Sequence, residues 1–508
     1  MPNLGLSPLA KELWLAYQDK PAFAKASVGE VIEVSETVSS IAFLYEKLRR
    51  VIDYKEEHLF RLSAIERFLH RIIYFRNYKE NLAELLIREL VRSRYLRNKR
   101  VPVSQIGEVH RIIFKYWQII QEIDYRPEHV DKWLINIAAG EIERQLVPQK
   151  KQEALVNAFY HLLKPNAPDA PPAQLYLAAY RALFKPDAAT LRYQLLKSRF
   201  PDWDKPAELP AIKREIEAYL QDPNGERLTR FCRRYSAPML ILQDILEQKG
   251  GLETWENPEK IEELVLETCL SRYDQTRTAL KRKAVRSIIY IFITKMVFAL
   301  LLEVPFELYL HGFLRKLPIA INTIFPPFLM FAFVLTVPRP GESNTQKIWE
   351  RIKGVLYQGS FTTKKFVFSL PPPSKGLKNT FFRYFFYLTF LLSFGLIIWG
   401  LVNISFNIFS IIVFLFFLTL VSFFAYKVSQ NAKDLILEEK ESRWVLITDL
   451  FMVPILKTGK RFSSELAKIN IFNFILDFVI EAPFKSILEI VEDWLGFLRE
   501  KKEEVISS

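Results

Sequence analysis

The chain has 508 residues, with 70 Lys and Arg against 57 Asp and Glu, and 41 Phe against only 16 Gly. Scarce glycine and long periodic segments exclude a turn-rich β protein and predict an all-α fold. Two cysteines far apart in sequence, Cys232 and Cys269, exclude a disulfide framework or a paired-cysteine metal site. The net charge of +13 carries no nucleic-acid motif with it, so no nucleic-acid partner is expected.

Residues 1–30 are mixed in character, with Pro2, Pro8 and Pro21, and are expected to be loosely ordered. They lack a basic head followed by an apolar core, so no cleavable signal peptide is expected. From about Val38 to Phe75, residues Ile41, Tyr45, Leu48, Ile52, Leu59, Leu62, Leu69 and Ile73 recur at three- and four-residue steps. That spacing predicts a long amphipathic helix packed within its own domain, with a coiled-coil dimer seam as the alternative. Helical patterns continue to Arg286, punctuated by Pro and Asp or Asn. Together they predict a helical cytoplasmic domain over 31–284, with a candidate subdivision near 165–172.

Residues 285–426 form a transmembrane region. Four apolar runs, 288–310, 317–337, 384–403 and 406–426, each have about the 20 residues needed to cross a bilayer core of roughly 30 Å. The last two carry no charge. Lys281, Arg282, Lys283 and Arg286 precede the first run, and the loop at 338–383 holds nine basic and two acidic residues. The positive-inside rule therefore predicts two hairpins with both termini cytoplasmic. Against this threading, the turn His311–Lys316 places Arg315 and Lys316 on the outer side.

Residues 427–508 contain two apolar stretches too short or too broken to span. Trp444–Leu456 is interrupted by Asp449 and Pro454, and Ile469–Ala482 by Asp477 and Glu481. After Pro483, residues Phe484, Ile487, Leu488, Val491, Trp494, Leu495 and Leu498 share one helical face. These segments are expected as C-terminal amphipathic helices lying at the membrane interface or against the bundle.

Four polar residues stand out in the spans. Lys295 lies near the middle of the first run, where an unpaired charge costs at least about 2.5–3.5 kcal/mol. Glu303 and Glu307 follow on one helical face, and Asn322 interrupts the second run near Pro326 and Pro327. They are candidate intramembrane functional charges, serving an ion or proton path, or else a structural ion pair. Glu66 and His70 are the nearest approach to a metal pair, but no metal, nucleotide or nucleophile motif accompanies them. No catalytic residue and no cofactor are assigned. Pro371–Pro373 read as a stiff lead into the third span.

The pattern favours a membrane-anchored helical scaffold whose cytoplasmic domain binds a protein partner. A transporter or channel component built on the first-span charges is the alternative, and a lipid or cell-envelope enzyme is a third. The expected partners are the lipid bilayer and a protein bound by the helical domain, with a second copy of the chain as a further candidate.

Overall fold

The structure is a computed structural model that describes residues 5–18, 30–52, 59–74, 81–123, 129–248, 255–313, 315–335, 340–361, 368–369, 377–437 and 443–468, with 487–488, 490–491, 494–498 and 501. The fold is all-α. Among the described residues the one strand-like feature is an isolated bridge between Val31 and Pro102. Contacts divide the chain into two compact units that interleave along the sequence. One comprises Met1–Lys11, His161–Ala170 and Arg230–Asn470, and the other Glu12–Tyr160, Pro171–Thr229 and Ile471–Ser508.

In chain order the first twelve helices are α1 Pro8–Gln18, α2 Glu36–Ile52, α3 Phe60–Tyr74, α4 Leu82–Arg92, α5 Ser104–Glu122, α6 Val130–Leu146, α7 Lys150–Leu163, α8 Pro172–Phe184, α9 Ala188–Arg199, α10 Leu209–Gln221, α11 Pro223–Arg233 and α12 Ser236–Glu247. The N-terminal stretch expected to be loosely ordered thus contains α1, in which Ala10 is buried. The long periodic segment at 38–75 is described as α2 and α3, with residues 53–58 outside the described set.

The interleaved helical unit is organised on α6, which packs against α3, α5, α9 and α10. Its sequence is apolar on nearly every side, with Trp133, Leu134, Ile137, Ala138 and Ile142 all buried, as expected of a helix surrounded by others. A Cβ at Gly140 would stand 2.9 Å from the Ala189 carbonyl oxygen, so glycine sets how closely α6 approaches α9. Several buried polar groups of the unit are paired. Arg67 bonds Glu46 at 3.3 Å, and the Tyr95 hydroxyl donates to Glu46 at 2.8 Å. Arg192 Nε donates to Glu217 at 2.6 Å and Arg192 Nη1 to Asn136 at 2.7 Å, while Trp133 Nε1 donates to Glu217 at 2.9 Å. Burial pushes the Glu217 carboxyl up, but hydrogen bonds and charge from Arg192 outweigh it and hold it below the usual carboxylate range.

The C-terminal amphipathic face closes on this same unit. Leu488, Val491 and Leu495 pack against Val38 and Ala42 of α2, whereas Ile487, Ile490 and Trp494 are exposed. The segment 469–482 lies outside the described residues.

In the other unit, Asn257 caps a helix that does not stop at the membrane. Its side chain accepts from the Glu259 and Lys260 amides, and Pro258 takes the first turn, where its missing N–H costs nothing. Helix α13 then runs Pro258–Phe298, passes through a π-turn at Ala299–Glu303 and continues as α14 Val304–His311. The later helices are α15 Lys316–Leu335, α16 Glu342–Lys353, α17 Leu377–Asn403, α18 Ile408–Lys433 and α19 Arg443–Lys468. Among the described residues, four helices are long and apolar enough to cross a bilayer: Pro258–Tyr309, Lys316–Phe333, Thr380–Asn403 and Ile408–Gln430. The first expected span is therefore the lower part of a 52-residue helix rather than a separate element. The protein is integral to a membrane by length and composition of these helices.

Helices α13, α15 and α18 pack together around Met330, Val421 and Ala425. Leu301 and Leu396 stand out exposed from the bundle, as apolar side chains do on membrane-spanning helices. Helix α19 extends well past the short stretch expected at Trp444–Leu456 and lies on α17 and α18. A Cβ at Gly459 would meet the Thr419 carbonyl carbon at 2.7 Å and Phe423 Cβ at 2.8 Å. Ser393 Oγ donates to the Phe451 carbonyl at 3.2 Å, and Lys457 Nζ sits 4.4 Å above the Phe386 ring.

Candidate functional site: a buried charge cluster in the apolar helices

Pro305 shapes the site. It has no N–H and its ring would strike the carbonyl of Leu301, so the preceding turn widens and the Val304 amide bonds to Ala299 five residues back. The widened turn changes which residues share a face. In a regular helix, residues eight apart differ by roughly 80° around the axis, and one inserted residue reduces this to about 20°. Lys295 and Glu303 are eight apart and straddle the turn. They meet in a direct ion pair between Lys295 Nζ and Glu303 Oε1.

The pair is closed off. Lys295 is 0% exposed, Asn322 0%, Glu303 2% and Glu307 3%. Asn322 Nδ2 on α15 donates to Glu303 Oε2 at 2.7 Å. The same amide faces the Ser410 carbonyl at 3.5 Å. Lys295 Nζ also sits 4.5 Å over the ring of Phe417 on α18. Three helices, α13, α15 and α18, thus converge on one ammonium–carboxylate pair. Asn322 Oδ1 is buried and has no hydrogen-bond partner.

Glu307 forms a second centre one turn beyond Glu303. It accepts from Arg315 Nε and from Asn407 Nδ2. Arg315 Nη1 donates to the Ser405 carbonyl at 2.8 Å. Asn407 caps α18, its Oδ1 accepting from the Ser410 amide at 2.6 Å. The turn between the first two spans is therefore tied to the turn between the last two. Of the two basic residues that counted against the expected threading, Arg315 and Lys316, Arg315 is paired with Glu307.

All four candidate residues belong to this network, in which Lys295, Glu303, Glu307 and Arg315 sum to zero charge. Arg315, Ser405, Asn407 and Phe417 complete it and were not singled out from the sequence. The one available signal was Pro305, two residues after Glu303, which announces an irregular turn. No known protein family, curated protein or solved structure matches this chain. The cluster must therefore be read on its own chemistry. It holds charge in an apolar setting, and it joins α13–α14, α15 and α18 through contacts that need no water.

Outside the cluster, Glu66 and His70 stand 4.0 Å apart, but Glu66 also accepts from Asn136 at 3.1 Å, a structural use. No group of three metal-ligating side chains occurs among the described residues. Cys232 and Cys269 are both buried. Burial pushes the Cys232 thiol far up and that of Cys269 to about 12, so neither is a nucleophile at neutral pH.

Proposed function

We propose that this protein is a membrane-anchored helical scaffold, with the charge cluster acting as an internal clasp of its anchor. Both termini and the large helical region are assigned to the cytoplasmic side, following the basic loop at 338–383. The observation that carries the reading is the mutual pairing of Lys295, Glu303, Asn322, Glu307 and Arg315. Lys295 is paired with Glu303, and Arg315 with Glu307, all within the first hairpin. Such pairing fits an anchor whose two hairpins must hold a fixed geometry beneath a binding domain.

Reporter fusions at Ser343 and Asn403 test the threading: Ser343 should report inside and Asn403 outside. The role is tested with the full chain carrying Lys295→Leu and Glu303→Leu together. In-cell crosslinking followed by mass spectrometry should give crosslinks from lysines of residues 31–229 to another protein, unchanged in the double variant. Ion or proton flux in reconstituted vesicles that disappears in the double variant would overturn the scaffold reading in favour of a transporter component. The unpartnered Asn322 Oδ1 favours that second reading, because it leaves a polar atom at the centre of the bundle.

A further inference from the structure

Where α13 enters the membrane, its surface opens into a cavity of about 890 Å³ that is not part of the charge cluster. The lining residues of α13 form a single stripe at three- and four-residue steps, and the stripe changes character along its length. At the end away from the membrane it presents Glu267 and Asp274. One turn on it presents Arg277 and then Lys281. Below these it is apolar, with Ile288 facing Phe331 and Leu335 of α15. A second recess of about 300 Å³ shares Ile288 and Phe331 with the first and continues the groove down to Phe292 and Phe328. Glu267, Asp274, Arg277 and Lys281 are all exposed in the protein alone, and among the described residues none of the four has a hydrogen-bond or ion-pair partner.

From Lys281 to Phe292 the helix rises about 16 Å at 1.5 Å per residue. Arg277 and Lys281 precede the apolar run that begins at 288, and the groove passes from them into its first turns. The upper walls are held in place. Asn344 Nδ2 donates to the Tyr273 hydroxyl and to the Leu435 carbonyl, each at 2.9 Å, so the cavity mouth is built rather than fluid.

We infer that this groove is a binding site for a single glycerophospholipid with a zwitterionic, ammonium-bearing headgroup. The phosphodiester is held by Arg277 and Lys281, and the ammonium by Asp274, with Glu267 adding negative charge further along the stripe. One acyl chain lies between α13 and α15 along Ile288, Phe331 and Phe328. Charge order decides the class. A phosphate alone would be served by the cations, but the Asp274 carboxylate about one turn further out, with Glu267 about two turns beyond it, disfavours a purely anionic headgroup and attracts an ammonium. The apolar length below the cations suits an acyl chain and not a soluble phosphate ester.

Native mass spectrometry of the full chain in detergent, titrated with dioleoyl phosphatidylethanolamine or dioleoyl phosphatidylglycerol, tests the assignment. The wild type should retain one molecule of the ethanolamine lipid in preference to the glycerol lipid. Arg277→Gln with Lys281→Gln should weaken that retention by about tenfold or more, given two charge-assisted contacts. Asp274→Asn with Glu267→Gln should erase the preference between the two lipids. Preference for phosphatidylglycerol in the wild type would overturn the headgroup assignment, and undiminished retention in the Arg277/Lys281 variant would overturn the site.

A second measurement does not depend on those variants folding. Leu335→Cys labelled with a bimane should be quenched by nitroxide-chain phosphatidylethanolamine, saturating at low mole fraction and reversed by unlabelled lipid. Quenching that merely tracks the bulk mole fraction would mean ordinary bilayer contact and would overturn the inference.

Discussion

Removing Glu303 should damage the anchor more than removing Lys295, and removing both should largely repair it. Both groups are desolvated, so each single substitution strands a charge. The two stranded groups are not equivalent. Glu303 without Lys295 keeps the Asn322 amide at 2.7 Å. Among the described residues, Lys295 without Glu303 keeps the Phe417 ring at 4.5 Å, a contact worth about 0.5–2 kcal/mol. Glu303→Leu also deprives the Asn322 amide of its short partner, leaving the 3.5 Å approach to Ser410. On this basis Glu303→Leu should cost about 3–5 kcal/mol, the usual range for breaking a buried pair from one side. Lys295→Leu should cost about 1–3 kcal/mol, as for a charged acceptor that retains one donor. The double variant replaces the pair with apolar groups of similar size and should return to within about 1 kcal/mol of wild type. Thermal unfolding of the detergent-solubilised full chain, measured for all four proteins as a double-mutant cycle, reads this directly. Single variants as stable as wild type, or a double variant as damaged as the sum of its parts, would refute the clasp.

Four other outcomes are expected. Gly459→Ala should destabilise by about 1–3 kcal/mol or displace α19, because its Cβ meets backbone that cannot turn aside; Gly395→Ala on α17, with open space around its Cβ, should be harmless in the same melt. Asn407→Ala removes a helix cap and a Glu307 donor together, and should lower the melting temperature by the equivalent of about 1–2 kcal/mol. The Glu217 carboxyl is depressed in the fold, so its contribution is present above the unfolded carboxylate range near 4.3 and lost as pH falls through the folded value; Glu217→Gln should lower stability at pH 7 and flatten the acid limb of a stability–pH profile. A thiol reagent at pH 8 should leave Cys232 and Cys269 unmodified until the protein is denatured, whereas rapid labelling of the native protein would contradict their burial and raised thiols.

The all-α fold and the four apolar helices were legible because both rest on local signals: helical periodicity, scarce glycine and uninterrupted apolar windows. The oddity of Lys295 was legible for the same reason. Its partner was ambiguous between Glu303 and Glu307, because eight-residue spacing does not pair on a regular helix and only the turn widened by Pro305 brings Glu303 round. Arg315, Asn407 and Ser405 were invisible as site residues, since their roles depend on two hairpin turns about 90 residues apart in sequence meeting in space. The C-terminal stripe was readable as amphipathic, but an apolar face does not name what covers it: Leu488 lies on Val38 of α2. Nothing local marked Gly459 as the point of closest approach between α19 and α18.

The uninterrupted passage of α13 from Asn257 through the membrane makes the first span a drive shaft. A helix of 52 residues extends about 78 Å, and it has no hinge before the widened turn at Ala299–Glu303. A rotation imposed at the Arg272 end, which is held to Asp244 of α12 at 2.8 Å, is therefore carried along one continuous helix toward Lys295. Only beyond that point does the looser turn let α14 slip in phase. Inserting one residue near Gln275 would rotate everything below it by about 100° and carry Lys295 out of register with Asn322 and Phe417. Inserting seven, close to two full turns, would restore the phase while lengthening the shaft.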